Sequence, residues 1–162
     1  MRKPRGTAAP RQRARGNNET ILLVEDEAAV RSLARRVLVR AGFRVLESTT
    51  PTDALRLARE NFQGIQLVLS DVVMPEMSGP ALVAKIAEVC PRARVLYISG
   101  YTNDEAIGRG LANPGMILKK PFSAQQLVER VRAAIDSVDD RQVGARSSLG
   151  LDRRLGRNSS AD

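Results

Sequence analysis

The sequence predicts an α/β fold, a doubly wound parallel sheet of five strands with helices on both faces. Three observations carry it. Short runs rich in Val, Ile and Leu alternate with longer amphipathic segments along the middle of the chain. Apolar residues in the longer segments recur three and four apart, which marks one face of a helix. Carboxylates stand at the ends of the first and third short runs, where the winding of such a sheet reverses. Right-handed crossovers leave the strand order 2-1-3-4-5 as the natural solution.

Each element has its own signal. Thr20 to Val24 reads as the first strand. From Glu27 to Arg40 the residues Val30, Leu33, Ala34, Val37 and Leu38 share one helical face, and Gly42 ends that helix. Phe43 to Glu47 is the second strand. Thr50 and Pro51 open a second helix as N-cap and first-turn proline, running through Ala54, Leu55 and Ala58 to about Arg59. Gln66 to Ser70 is the third strand, ending at Asp71. Ser78 or Gly79 starts a third helix with Leu82, Val83, Ile86 and Val89 inward, and Cys90-Pro91 stops it. Arg94 to Ile98 is the fourth strand. Asn103 to Gly110 is a weak helix, because Gly108 and Gly110 oppose it. Gly115 to Lys119 is the fifth strand. Ser123 caps a last helix with Leu127, Val128, Val131, Ala134 and Ile135 inward.

Composition narrows the chemistry. The chain of 162 residues carries a net charge of +8, but six basic and no acidic residues lie in residues 1–18. That Arg-rich segment has no apolar periodicity and is expected to be a disordered arm. The body, 19–138, is nearly neutral, and 139–162 reads as a flexible polar tail. The single Cys90 excludes an intrachain disulfide and is expected to be a buried structural thiol. With no His, histidine catalysis and Cys/His zinc sites are excluded. Any metal must therefore take oxygen ligands, which favours Mg²⁺, Mn²⁺ or Ca²⁺. No apolar run approaches the length of a membrane span, and no signal peptide is present, so a cytoplasmic protein is expected. No phosphate-binding glycine loop follows any strand, which disfavours a nucleotide-binding enzyme. Nucleic-acid binding is disfavoured as well, beyond weak contact by the basic arm, since no stacking aromatic accompanies it.

Four strand ends converge on one edge of the sheet. Glu25 and Asp26 follow strand one, Asp71 ends strand three, Ser99 ends strand four and Lys120 ends strand five. Taken singly, Asp26 reads as a helix cap, Ser99 as a loop hydroxyl and Lys120 as a surface ion-pair partner. Together they make a site. Three carboxylates in one place repel unless a cation neutralises them, and Mg²⁺ fits. A carboxylate with Mg²⁺, a lysine and a hydroxyl suits acceptance of a phosphoryl group on Asp71, and no general base is needed.

These residues carry a resemblance to the response-regulator receiver domains of bacterial two-component signalling. The matching pieces are ILLVEDE at Ile21–Glu27, LVLSDVVMPEMSG at Leu67–Gly79, YISGYT at Tyr97–Thr102 and KKPF at Lys119–Phe122, within residues 19–138. The chain is most similar to receivers attached to hybrid histidine kinases. The resemblance implies a flavodoxin-like (βα)₅ fold. It implies phosphoryl transfer from phosphohistidine to Asp71, with Mg²⁺ (or Mn²⁺) held by Asp26, Asp71, the Val73 carbonyl and, through water, Glu25. It implies that Ser99 and Lys120 contact phosphoryl oxygens, that Lys120-Pro121 is cis, and that Gly79 allows a close loop approach. The implied partners are a histidine kinase or histidine phosphotransfer protein, and a downstream protein on the surface of the fourth helix, fifth strand and fifth helix. A homodimer is compatible. The expected activity is self-phosphorylation and autodephosphorylation rather than turnover, in a phosphorelay and without a DNA-binding output domain. The alternative is a binding module that works without phosphorylation.

Three positions set the expected readout and lifetime, and one of them departs from the usual pattern of the family. Ile117 stands three residues before Lys120, where an aromatic ring is usual, so a ring-based readout is expected to be altered. Val73 and Tyr101, two residues beyond Asp71 and Ser99, are bulky and non-acidic, and a slowly hydrolysing phosphoryl group is expected.

Overall fold

The structure is a computed structural model and describes residues 18–100 and 114–137. Five parallel strands form one sheet: β1 (Thr20–Val24), β2 (Arg44–Ser48), β3 (Ile65–Asp71), β4 (Arg94–Ser99) and β5 (Ile117–Lys119). Their order is β2-β1-β3-β4-β5, as the alternation of the sequence requires. The helices are α1 (Ala28–Arg40), α2 (Pro51–Glu60), α3 (Gly79–Val89) and a C-terminal helix (Ala124–Asp136).

Both faces of the sheet are covered, so β1 is buried at every position. Side chains alternate across a strand. Ile21, Leu23, Leu67, Leu69, Leu96, Ile98 and Leu118 therefore meet Ala34 and Leu38 of α1 and Leu127 and Val131 of the C-terminal helix. On the other face Leu22, Val24 and Val68 meet Ala54 and Ala58 of α2 and Leu82 and Ile86 of α3. Each fully buried Leu or Ile contributes roughly 1.5–3 kcal/mol over its exposed state. Cys90 is buried in the second cluster, its Sγ 3.5 Å from the Ala58 carbonyl, which bears out a structural thiol.

Some expectations need correction. Leu33 was expected on the inner face of α1 but is 41% exposed; the inner stripe is Ala34 and Leu38, with Val37 packed at its edge. The strong three-and-four spacing of α1 allows two neighbouring stripes, and contact with the sheet selects one. The fifth strand is shorter than Gly115–Lys119, because Pro114–Met116 forms a 3₁₀ turn before Ile117. α1 starts at Ala28, with Glu27 at the N-cap; β2 runs to Ser48 and starts one residue after Phe43. β3 gains Ile65 and Asp71 at its ends. The expected weak helix at 103–110, the arm (apart from residue 18) and the tail lie outside the described residues. Among the described residues no helix is long and apolar enough to cross a membrane.

Candidate functional site

Parallel strands end on the same side of a sheet, so the C-terminal ends of β1, β3, β4 and β5 share one edge. β3 passes between β1 and β4, which brings Asp71 beside both. Glu25, Asp26 and Asp71 each offer a carboxylate oxygen, all within 4.8 Å of one another. Glu25 is fully buried, Asp71 nearly so, and Asp26 is exposed.

Lys120 reaches the cluster from beyond β5. Its Nζ lies 2.8 Å from Asp71 Oδ2 and 3.2 Å from Glu25 Oε2. The Lys120 N–H donates to the Ser99 carbonyl at 2.8 Å, and the Lys120-Pro121 peptide is cis. Burial works to lower the Lys120 pKa, but the hydrogen bond and charge of Asp71, together with Glu25, outweigh it and raise it. The other Asp71 oxygen, Oδ1, accepts the Val73 N–H at 3.1 Å. Burial pushes the Glu25 carboxyl up to about 7; the charge of Asp71 adds to this, and the Glu27 N–H and Lys120 oppose it. Glu25 Oε2 is buried with no partner besides the Lys120 ion pair. A buried carboxylate oxygen so placed, beside two more carboxylates, suits a hard divalent cation with oxygen ligands.

The β3–α3 loop is held by close backbone contact. Gly79 N–H donates to the Val72 carbonyl at 2.9 Å, and a Cβ on Gly79 would collide with the Asp71 carbonyl oxygen. Only glycine fits there. Ser78 caps α3 by accepting the Ala81 N–H at 3.3 Å. Glu76, at φ 70°, bridges a tight γ-turn closed by the Met77 N–H on the Pro75 carbonyl at 2.8 Å.

The sequence-expected residues Glu25, Asp26, Asp71 and Lys120 are thus brought together. Ser99 stands buried at the end of β4, one residue beyond Ile98, the register partner of Asp71. Val73 is beside Asp71 through its N–H, and the residue is 40% exposed. Ile117 is buried against Val72 and Tyr97, in the position expected of an aromatic ring. Tyr101 lies outside the described residues. Sequence reasoning missed Arg31. Its Nη1 donates to the carbonyls of Glu25 at 3.0 Å and Asp26 at 3.3 Å. The only signal in the sequence was a cation in the first turn of a helix, where the macrodipole disfavours one.

Comparison with known proteins gives a consistent picture. A family model described as the response regulator receiver domain matches residues 21–132. The sensor kinase CckA of Brucella abortus is 38% identical over 122 residues, which cover 74% of this chain and 13% of that protein. The response regulator receiver protein CpdR of the same organism is 32% identical over 114 residues, covering 68% of this chain and 92% of CpdR. The crystal structure of the receiver domain from the hybrid histidine kinase CckA matches with a TM-score of 0.62 at 40% identity, over 72% of this chain and 98% of that one. Among the longer relatives the chain spans only a small part, 13% of CckA and 24% of the hydrogenase regulator HoxA of Bradyrhizobium diazoefficiens.

Proposed function

The chain belongs to the response regulator receiver domain family, and from that premise we propose that it accepts a phosphoryl group from phosphohistidine onto Asp71 in a Mg²⁺-dependent reaction. The observation that carries the reading is the convergence of Asp26, Glu25 and Lys120 on Asp71 at the sheet edge. An Asp71 carboxylate oxygen forms the new P–O bond as the P–N bond to the donor imidazole breaks. The leaving nitrogen takes the electron pair of the broken bond and a proton from solvent. Asp26 and Asp71, the Val73 carbonyl and, through water, Glu25 would hold the cation, which supplies charge neutralisation for the phosphoryl oxygens when bound. Lys120 is already charged beside Asp71 and balances the added phosphoryl charge. Ser99, at the end of β4, offers a hydroxyl to a phosphoryl oxygen. The donor is a histidine kinase or phosphotransfer protein in the cytoplasm, and Mn²⁺ serves in place of Mg²⁺. The surface of β5 and the C-terminal helix is the docking face for a downstream protein.

The test is direct. Incubation with Mg²⁺ and acetyl phosphate adds one phosphate to the intact mass, and Asp71→Asn abolishes the addition. Unchanged labelling of Asp71→Asn would defeat the assignment. A chain that is never labelled, yet binds its partner equally well with Asp71→Asn, would instead be a binding module that works without phosphorylation.

A further inference from the structure

Arg31 sits in the first turn of α1, where it has no ordinary reason to be. The N-terminus of a helix carries partial positive charge, which disfavours a cation there. α1 also has no acidic residue in its first turn, and its N-cap Glu27 makes no side-chain cap bond. The carboxylates that would normally serve that end are turned elsewhere: Glu25 Oε1 accepts the Glu27 N–H at 3.0 Å, and its Oε2 faces Lys120. Arg31 instead gathers the backbone of the loop that bears them. Its side chain takes the carbonyls of Glu25 and Asp26, at 3.0 and 3.3 Å, and its own N–H takes the Glu27 carbonyl at 2.9 Å. The last of these is the first ordinary bond of the helix, but the side chain ties two consecutive loop carbonyls to a helix that is itself anchored in the core through Ala34 and Leu38.

We propose that Arg31 is a positioning residue for the acidic site: by tying the Glu25 and Asp26 carbonyls to α1, it fixes the loop so that both carboxylates stand ready for a cation. The proposal rests on the metal-site reading above. It has a sign that separates it from a charge effect. A guanidinium near a cation site repels the cation, so its removal would tighten binding if charge were all that mattered. A positioning role requires the opposite, because residues that orient metal ligands typically contribute ten- to a hundred-fold in affinity.

The experiment measures binding of Mn²⁺ alone to the full chain by counting free Mn²⁺ with electron paramagnetic resonance. The proteins compared are the native one, Arg31→Met, Arg31→Lys and Asp26→Asn. Arg31→Met keeps the length of the stem without donors, and is expected to bind about ten- to a hundred-fold more weakly. Arg31→Lys restores donors on a stem of similar reach and is expected to recover most of the affinity. In metal-free buffer, amide exchange at residues 25–28 should quicken in Arg31→Met while that of β1 and β3 stays unchanged. Native-like or tighter Mn²⁺ binding by Arg31→Met overturns the proposal and leaves the metal site standing. A native chain that binds Mn²⁺ no better than Asp26→Asn removes the metal site, and the role of Arg31 with it. Should Arg31→Met not fold, Arg31→Gln, too short to span both carbonyls, carries the same expectation.

Discussion

Asp71, the proposed phosphoryl acceptor, has both of its oxygens engaged, one by Lys120 and one by the Val73 N–H. Those contacts fix its orientation before any donor arrives, which is how a positioned group lowers a barrier. The Gly79 contact decides whether that orientation survives substitution. Gly79→Ala would drive a methyl into the Asp71 carbonyl, and overpacking of this kind costs about 1–3 kcal/mol. Urea denaturation should show the loss, and labelling by acetyl phosphate should fall further than stability alone explains. Val73 stands beside the same carboxylate with its side chain partly in solvent. An amide there would hold a water that an isopropyl group excludes, so Val73→Asn is expected to shorten the lifetime of phospho-Asp71. Decay no faster than in the native chain would refute a shielding role for Val73.

Helices and strands carry these residues with unequal security. The C-terminal helix begins with a reciprocal capping box: Ser123 accepts the Gln126 N–H at 3.1 Å, and the Gln126 side chain accepts the Ser123 N–H at 2.9 Å. Lys120 precedes it by three residues, so this cap also steadies the exit from β5. Ser123→Ala should cost about 1 kcal/mol, read as a lower denaturation midpoint. The caps at Thr50, Ser78 and Ser123 were legible because a small hydroxyl residue before an apolar periodic run has few other uses. β5 was less legible. Gly115 and Met116 continue its apolar run, yet Pro114 favours a tight turn, and pairing with β4 begins only at Ile117. α1 misled in another way, since Leu33 fits the helical spacing as well as Ala34 does and only the sheet could choose between them.

At the scale of the molecule, the sheet edge stores like charge. Glu25 is buried beside Asp71, and its carboxyl is held up at about 7 against an ordinary 4.5. The unfolded chain releases that proton at lower pH than the folded one, so between these values the folded state binds more protons. Metal-free stability should therefore fall as pH rises from about 4.5 to about 7. Mg²⁺ held as proposed would favour the folded, ionised cluster and should offset the fall. Thermal melts across this range with and without Mg²⁺ check it; a metal-free midpoint that rises with pH would contradict the burial of Glu25.

The sequence alone determined the strand count, their order, the hydroxyl caps at Thr50, Ser78 and Ser123, and the four strand ends that meet at the proposed site. Those follow from local periodicity and from chirality, which act on every chain of this pattern alike. It also placed Asp71, Asp26, Glu25 and Lys120 at one edge, because parallel strands must end together. The tertiary structure decided what periodicity leaves degenerate. It chose the inner stripe of α1, shortened β5, set Ile117 against Val72 and Tyr97, and brought Arg31 back onto the loop of Glu25 and Asp26. Each of these depends on contacts between residues that a pattern cannot pair, since a side chain's partner is fixed by packing in three dimensions and not by spacing along the chain.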